Sequence, residues 1–297
     1  MEKEPDAILI AGPTASGKSG FGIELAKKCN GSIINSDSMQ VYPILRIITA
    51  RPSEEDLAKV PHLLYGHASL KNPYSVAQWI IDAKVALNEV LAAGRTPIFV
   101  GGTGLYFKAL LEGLADIPAI PSEIRQKWRK RAEGCEVSGL YDELQSFDPL
   151  AANVLKANDR QRILRALEVK DATGRSIVEY QAENNPGLLE GMRVDKYLLV
   201  PERKQLHRRI EARFDLMLAA GAIEEVMALN QLDISQDHPV LKAIGVPQLT
   251  NYLQKVVTVD EARNKCMIAT RQYAKRQSTW FRNQLDDNWI EIDKIVI

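Results

Sequence analysis

Residues 6 to 19 read Asp-Ala-Ile-Leu-Ile-Ala-Gly-Pro-Thr-Ala-Ser-Gly-Lys-Ser, an apolar run of strand length that passes into Gly12, Pro13, Thr14, Ala15, Ser16, Gly17, Lys18 and Ser19. The Gly-x-x-x-x-Gly-Lys-Ser spacing is that of a phosphate-binding loop. Small residues let consecutive backbone N–H groups curl round an anion, and the helix that follows points its positive end at the same place. Lys18 adds a full charge. Ser19, first in that helix, is placed to offer its hydroxyl to a Mg²⁺ ion that also holds the phosphates. A chance match would lack the flanking pattern, whereas here an apolar strand precedes the loop and Phe21, Ile23, Leu25 and Ala26 form an amphipathic helix after it. A P-loop NTPase-like α/β core with a parallel sheet flanked by helices is therefore expected. The reaction is not named by the loop, which serves hydrolases, kinases and other transferases.

A sheet of that kind gathers its ligands beyond the C-terminal ends of its strands. Ser32 to Asn35 reads as a second buried strand, and it delivers Ser36-Asp37-Ser38-Met39-Gln40-Val41-Tyr42 to that edge. Asp37 then either faces the phosphate crevice or caps the next turn, and the residues alone leave both roles open. Thr96 to Val100 is a third strand, running into Gly101-Gly102-Thr103-Gly104. Its glycines allow close backbone approach, and Thr103 offers a hydroxyl to a ligand or metal. Between these strands, residues 53 to 61 suggest a short solvated helix and Tyr65 to Ser69 an edge strand. Ser75 to Ala93 has a helical face of Val76, Ile80, Ala83, Leu87, Val90 and Leu91. From about Ile117 to Met192 the strand-like runs give way to charged helical segments. The expected organisation is a first core part at 1–117, a helical insertion domain at 118–195, and a second core part at 196–297.

Composition narrows the partners. The chain has 297 residues, and its Lys plus Arg and Asp plus Glu each total 38, so no global field draws in a polyanion and nucleic-acid contact must come from local clusters. Arg125, Lys127, Arg129, Lys130 and Arg131 surround Trp128, which suits a solvated charged face. Arg160, Arg162 and Arg165 fall within two helical turns; Arg162 and Arg165 share a face with Gln161 near them, a combination suited to phosphates and base edges. A capping box of Thr258 and Glu261 opens a long final helix, about Val259 to Phe281. Along it Arg271, Lys275 and Arg282 recur, with Arg276, Gln277, Thr279 and Trp280 beside them. That is either a surface helix anchored by Trp280 and Phe281 or a basic, aromatic face for single-stranded nucleic acid. Cys29, Cys135 and Cys266 are far apart and lack metal-ligand spacing, which fits reduced thiols. The N-terminus lacks a basic-then-apolar leader, and no apolar run approaches membrane-span length. A cytoplasmic monomer without membrane contact is expected.

Taken together, Gly12–Ser19, Asp37-Ser-Met-Gln-Val-Tyr42, Gly101-Gly-Thr-Gly-Leu-Tyr106, Asn158-Asp-Arg-Gln-Arg-Ile-Leu-Arg165 and Ala274-Lys-Arg-Gln-Ser-Thr-Trp-Phe-Arg282 resemble the tRNA dimethylallyltransferase family, in family order over nearly the whole chain. Two stretches depart from its pattern. Ile44-Leu45-Arg46-Ile47-Ile48-Thr49 stands where Gly-x-Asp-Ile-Gly-Thr is usual, and Ile244-Gly245 is followed by Val246-Pro247 where a Tyr and a polar or basic residue are commoner.

The resemblance implies transfer of a dimethylallyl group from dimethylallyl diphosphate to N6 of adenosine 37 in the tRNA anticodon arm, with Mg²⁺ as cofactor. It implies Asp37 as the base toward N6, Thr103 and Lys18 as further catalytic contacts, and Gly12 through Ser19 as the diphosphate site. It implies tRNA contact by Asp37, Ser38, Met39, Gln40, Thr103, Arg125, Gln161, Arg162, Arg165, Lys275, Arg276, Gln277, Trp280 and Arg282, with the Lys242 to Pro247 break matching another contacting stretch. An adenine in a loop must leave its stack to be alkylated. Two other classes fit parts of the chain. A small-molecule kinase would use the loop for ATP and Asp37 toward a hydroxyl, and a non-catalytic RNA-binding protein would carry a relic loop.

Overall fold

The computed structural model describes residues 4–183 and 185–293. The apolar run before the loop is β1 (Ala7–Ala11), buried at every position, and α1 (Lys18–Lys28) follows the loop. Cys29 and Asn30 end that helix, Asn30 with a positive φ of 49°, and β2 (Gly31–Asn35) begins at once. Next come α2 (Glu54–Lys59), β3 (His62–Leu63), α3 (Val76–Ala92), β4 (Thr96–Gly101) and α4 (Gly104–Glu112). After the helical segments described below, β5 (Val194–Leu199) returns to the sheet. The described residues form a six-stranded sheet in the order β3-β2-β4-β1-β5-β6, with β6 at Ile290–Ile292 and every pairing parallel.

Both faces of the sheet are covered, which is why its strands read as unbroken apolar runs rather than alternating ones. Leu9, Ile34 and Phe99 point to one core; Ile8, Ile10, Ile33 and Ile98 point to the other, under α1. The register sets Ala11 opposite Gly101 and Asn35 opposite Val100. The turns leaving β1, β2 and β4 thus emerge side by side at one edge of the sheet, and this places the site.

The edge strand expected at Tyr65 to Ser69 is displaced. Pairing with β2 occurs at His62 and Leu63; Leu64 and Gly66, both with positive φ, then turn the chain back, and the N–H groups of Gly66 and Ala68 bond to the carbonyls of Gln40 and Val41. Those residues brace the segment after β2 instead of extending the sheet. On α3 the expected face is rotated. Trp79, Ala83, Ala86, Leu87 and Val90 are buried, whereas Leu91 is 42% exposed. Trp79 stacks on Tyr106 at 4.0 Å between ring centroids and donates its indole N–H to the carbonyl of Asn35 at 3.0 Å.

The second part of the core adds α10 (Arg203–Ala219), α11 (Ala222–Asn230), a 3₁₀ turn at Pro239–Lys242, α12 (Val246–Leu253) and α13 (Val259–Gln284). Thr258 and Glu261 close the capping box that opens α13. Its interior positions Ala262, Cys266, Ala274, Gln277 and Phe281 are buried, so the helix is anchored along its length.

Contacts divide the chain into one unit of residues 1–111 with 188–297 and a second of residues 112–187. The second unit contains α5 (Ser122–Ala132), α6 (Val137–Phe147), α7 (Pro149–Val154), α8 (Arg160–Thr173) and α9 (Ile177–Gln181) around Trp128, Leu140, Leu144, Ile163 and Leu167. Asp148 and Asp159 cap α7 and α8. Trp128 is buried and donates to Asp171 at 2.9 Å. Among the described residues no helix is long and apolar enough to cross a membrane.

Replacing Trp79 with alanine removes a fully buried ring and the donor held by Asn35, so the loss of folding stability should be about 3–5 kcal/mol. Urea unfolding of the variant and the parent, compared at equal m-value, measures it.

Candidate active site

The phosphate loop leaves β1 with Ala15 at φ 63° and Gly17 at φ 97°, and Gly17 stands as the N-cap of α1 without any side-chain cap. The first N–H groups of α1 are therefore not taken by a capping side chain, and such groups attract an anion. The Ser16 hydroxyl is buried with no partner among the described residues. Lys18 donates from Nζ to the carbonyl of Pro13 at 3.2 Å, which folds its ammonium back over the loop. Enclosure lowers its pKa to about 8; the Asp37 carboxylate pulls it up and the Arg213 guanidinium adds to the lowering.

The turn after β2 is held from both sides. Asn35 accepts from the Asp37 N–H at 2.9 Å and donates to the Asp37 carbonyl at 3.0 Å. One carboxylate oxygen of Asp37 accepts from the Met39 N–H at 2.9 Å. Asp37 thus bonds within its turn and also lines the crevice, so the two roles open in the sequence coexist in one geometry. The Thr103 hydroxyl accepts from the Ser38 N–H at 2.9 Å, tying the turn after β4 to the turn after β2. Gln40 donates to the carbonyls of Thr49 and Ala50, at 2.8 and 3.1 Å. Close approach between these turns requires bare backbone: a Cβ on Gly101 would lie 2.0 Å from the Ser36 carbonyl oxygen.

Gln277, expected among the tRNA contacts, is a buried bridge within the protein. It accepts from the Thr14 N–H and donates to the Gly102 carbonyl, both at 2.8 Å, and so spends its amide on the loop and on the turn after β4. Trp280 lies half-buried over Gly104, where a Cβ would meet its ring at 2.2 Å. Lys275, Arg276 and Arg282 are exposed on the same helix, whereas Arg271 is paired with Glu211 of α10. In the second unit Arg125, Gln161 and Arg162 are exposed, and Arg165 lies half-buried 3.7 Å from Glu168. Arg160 donates to the carbonyls of Cys135 and Ala132 and serves the fold.

Two connected hollows meet at Asp37. The smaller, about 40 Å³, is lined by Thr14, Lys18, Ser19, Asp37, Tyr65 and Arg213, among others. The larger, about 300 Å³, shares Thr14, Asp37, Thr49 and Arg213 with it and continues past Met39, Phe214 and Tyr273. Arg213 lies 3.5 Å from the Thr14 hydroxyl, and Arg209 donates to the Ser16 carbonyl at 3.0 Å. Burial lowers the Arg213 pKa and Asp37 pulls it back up. The phenols of Tyr65 and Tyr273 are raised by burial and by Asp37, which keeps both neutral. The site roles of Arg209 and Arg213 were not legible in the sequence beyond their i, i+4 spacing on one helix.

Residues 40–284 match the model of the IPP transferase family. The chain belongs to the IPP transferase family. The tRNA dimethylallyltransferase of Rhizobium etli is 51% identical to it over 284 residues, 96% of each chain. That of Agrobacterium fabrum is 48% identical over 292 residues, 98% of each. Among solved IPP transferase structures, the full-length tRNA isopentenylpyrophosphate transferase of Bacillus halodurans superposes with a TM-score of 0.69 at 34% identity, over 98% of this chain and 90% of that one. A eukaryotic dimethylallyltransferase acting on tRNA superposes with a TM-score of 0.80 at 28% identity, over 97% of this chain and 74% of that one.

The charge on Lys18 yields a pH dependence whose sign follows from its lowered pKa. Below pH 8 the ammonium is present and attracts a diphosphate; as pH rises through about 8 it is lost, while a bound diphosphate holds the proton on. Diphosphate affinity should therefore fall above pH 8, with proton uptake on binding. Calorimetric titration in buffers of different ionisation enthalpy measures this, and Lys18→Met, which cancels the ligand's own titration from the comparison, should lack the step.

Proposed function

We propose that the chain transfers a dimethylallyl group from dimethylallyl diphosphate to N6 of adenosine 37 in tRNA, next to the anticodon. The observation that carries this reading is the junction at Asp37: a small polar hollow at Lys18 and Ser19 opens there into a larger hollow with an apolar wall, so an alkyl diphosphate and an acceptor base can meet over one carboxylate. A nucleotide-binding loop then holds a leaving group.

The allylic C–O bond breaks as the N6–C bond forms. The electron pair stays on the departing diphosphate, where the loop N–H groups, Lys18 and Arg213 stabilise the growing charge. The amine of adenine is a weak nucleophile because its lone pair is delocalised into the ring, and its proton passes to Asp37 as it attacks. Asp37 has one oxygen bonded to the Met39 N–H, which fixes the carboxylate without using all of its acceptor capacity. Thr103 holds the Ser38 end of the same turn and acts as a positioning residue in this state.

Mg²⁺ fits the donor set. Ser19 presents a hydroxyl to the polar hollow beside Lys18, and the ion is commonly bound by one or two protein oxygens together with substrate phosphates. Bound there, it would neutralise charge on the leaving diphosphate. The exposed basic residues Arg125, Arg162, Lys275, Arg276 and Arg282, with Gln161, Arg165 and Trp280, are assigned to the anticodon arm, and the helical unit is assigned as its insertion domain. A cytoplasmic monomer completes the reading.

Incubating the protein with unmodified tRNA, dimethylallyl diphosphate and Mg²⁺ tests it. Nuclease digestion and mass analysis should show a five-carbon gain on one adenosine beside the anticodon. Absence of that product, with ATP consumed against a small hydroxyl acceptor instead, would favour a kinase.

A further inference from the structure

The wall of the larger hollow is not uniform. Thr14, Asp37 and Arg213 form its polar end, and Met39, Ile48, Phe214, Met217 and Ile244 line its apolar part. Thr49 lines both hollows, whereas its neighbour Ile48 lines only the larger one. We propose that Ile48 is a specificity-determining residue that closes this wall and limits the transferred alkyl group to one isoprene unit. The inference rests on reading the hollow as the site of a prenyl diphosphate.

Three observations make Ile48 a rigid stop rather than a movable side chain. Its own N–H and that of Ile47 are both taken by the Glu225 carboxylate, at 2.8 and 2.7 Å, so α11 clamps the backbone at this turn. Its side chain rests on bare backbone at Gly245, whose φ is 104°; a Cβ there would lie 2.4 Å from Ile48 Cδ1. It is 7% exposed and β-branched, with few rotamers to adopt. Ile48 and Gly245 are some two hundred residues apart in the chain, so only the fold brings this contact together.

The size of the side chain matches the discrimination asked of it. Truncating isoleucine to alanine frees the space of three carbons and to glycine that of four, against the five that a second isoprene unit adds. Each methylene misfit in an apolar pocket is worth roughly 10–200-fold in discrimination.

The experiment compares the wild-type protein with Ile48→Ala and Ile48→Val, using unmodified tRNA and either dimethylallyl or geranyl diphosphate. It reads kcat/KM for each diphosphate and KM for tRNA. Wild type should favour the five-carbon donor by about 100-fold or more. Ile48→Ala should shift the ratio toward geranyl transfer by about tenfold or more, and Ile48→Val by less in the same direction, with KM for tRNA unchanged. Should Ile48→Ala fail to fold, the Ile48→Val shift decides alone. An unchanged donor ratio in a variant that still transfers the five-carbon group overturns the proposal. So does a raised KM for tRNA at constant ratio, which would place Ile48 against the base. Failure of the wild type with both donors would overturn the functional reading itself, and is distinguished by needing no variant.

Discussion

The site depends on one side-chain amide. Gln277 joins the Thr14 N–H of the phosphate loop to the Gly102 carbonyl of the turn after β4, and it does so from a helix that starts at Val259. Neither group has a strand or helix partner of its own, and a buried backbone group left unpaired costs about 1–3 kcal/mol. The bridge also explains a glycine: a Cβ on Gly102 would lie 2.3 Å from Gln277 Nε2. Loop, turn and C-terminal helix are therefore one hydrogen-bonded body. The exposed basic residues of α13, Lys275 and Arg276, are carried on the same rigid element that shapes the loop.

Electrostatics of the crevice follow from enclosure. Lys18 and Arg213 are both charged groups whose pKa values are lowered by burial, and Asp37 offsets that in each case. Two cations converge with one carboxylate between them, a net positive site awaiting an anion. A diphosphate bound there would relieve the repulsion between the cations. Preorganised charge of this sort needs little rearrangement at the moment of reaction.

Much of this was legible in the chain itself, and the parts that were not share a cause. The loop, β1, β2, β4 and the Thr258–Glu261 cap are local signals, set by residues within one turn or strand of each other, and they appear where expected. The edge strand was misplaced because Leu64 takes a positive φ, a conformation that no leucine announces. On α3, Trp79 rather than Leu91 faces the core: Trp79, Ala83, Leu87 and Val90 keep a helical period, and the stack on Tyr106 and the bond to Asn35 fix which of two overlapping apolar stripes is buried. Gln277 looked like one more polar residue in a basic stretch; only a partner 263 positions away reveals it as a bridge. Arg213 likewise gains meaning only once β5 lies beside β1 and brings α10 to the loop.

The central claim is that Asp37 takes the proton from the acceptor amine at the junction of the two hollows. Single-turnover transfer by Asp37→Asn, with saturating tRNA and dimethylallyl diphosphate, tests it most directly, read beside tRNA affinity and melting temperature. Asparagine keeps the shape and an acceptor for the Met39 N–H but not the capacity to take a proton. The account predicts a folded protein that binds tRNA nearly as the parent does and transfers about 10²–10⁴-fold more slowly. A folded Asp37→Asn protein that transfers the prenyl group at close to the parent rate would contradict it.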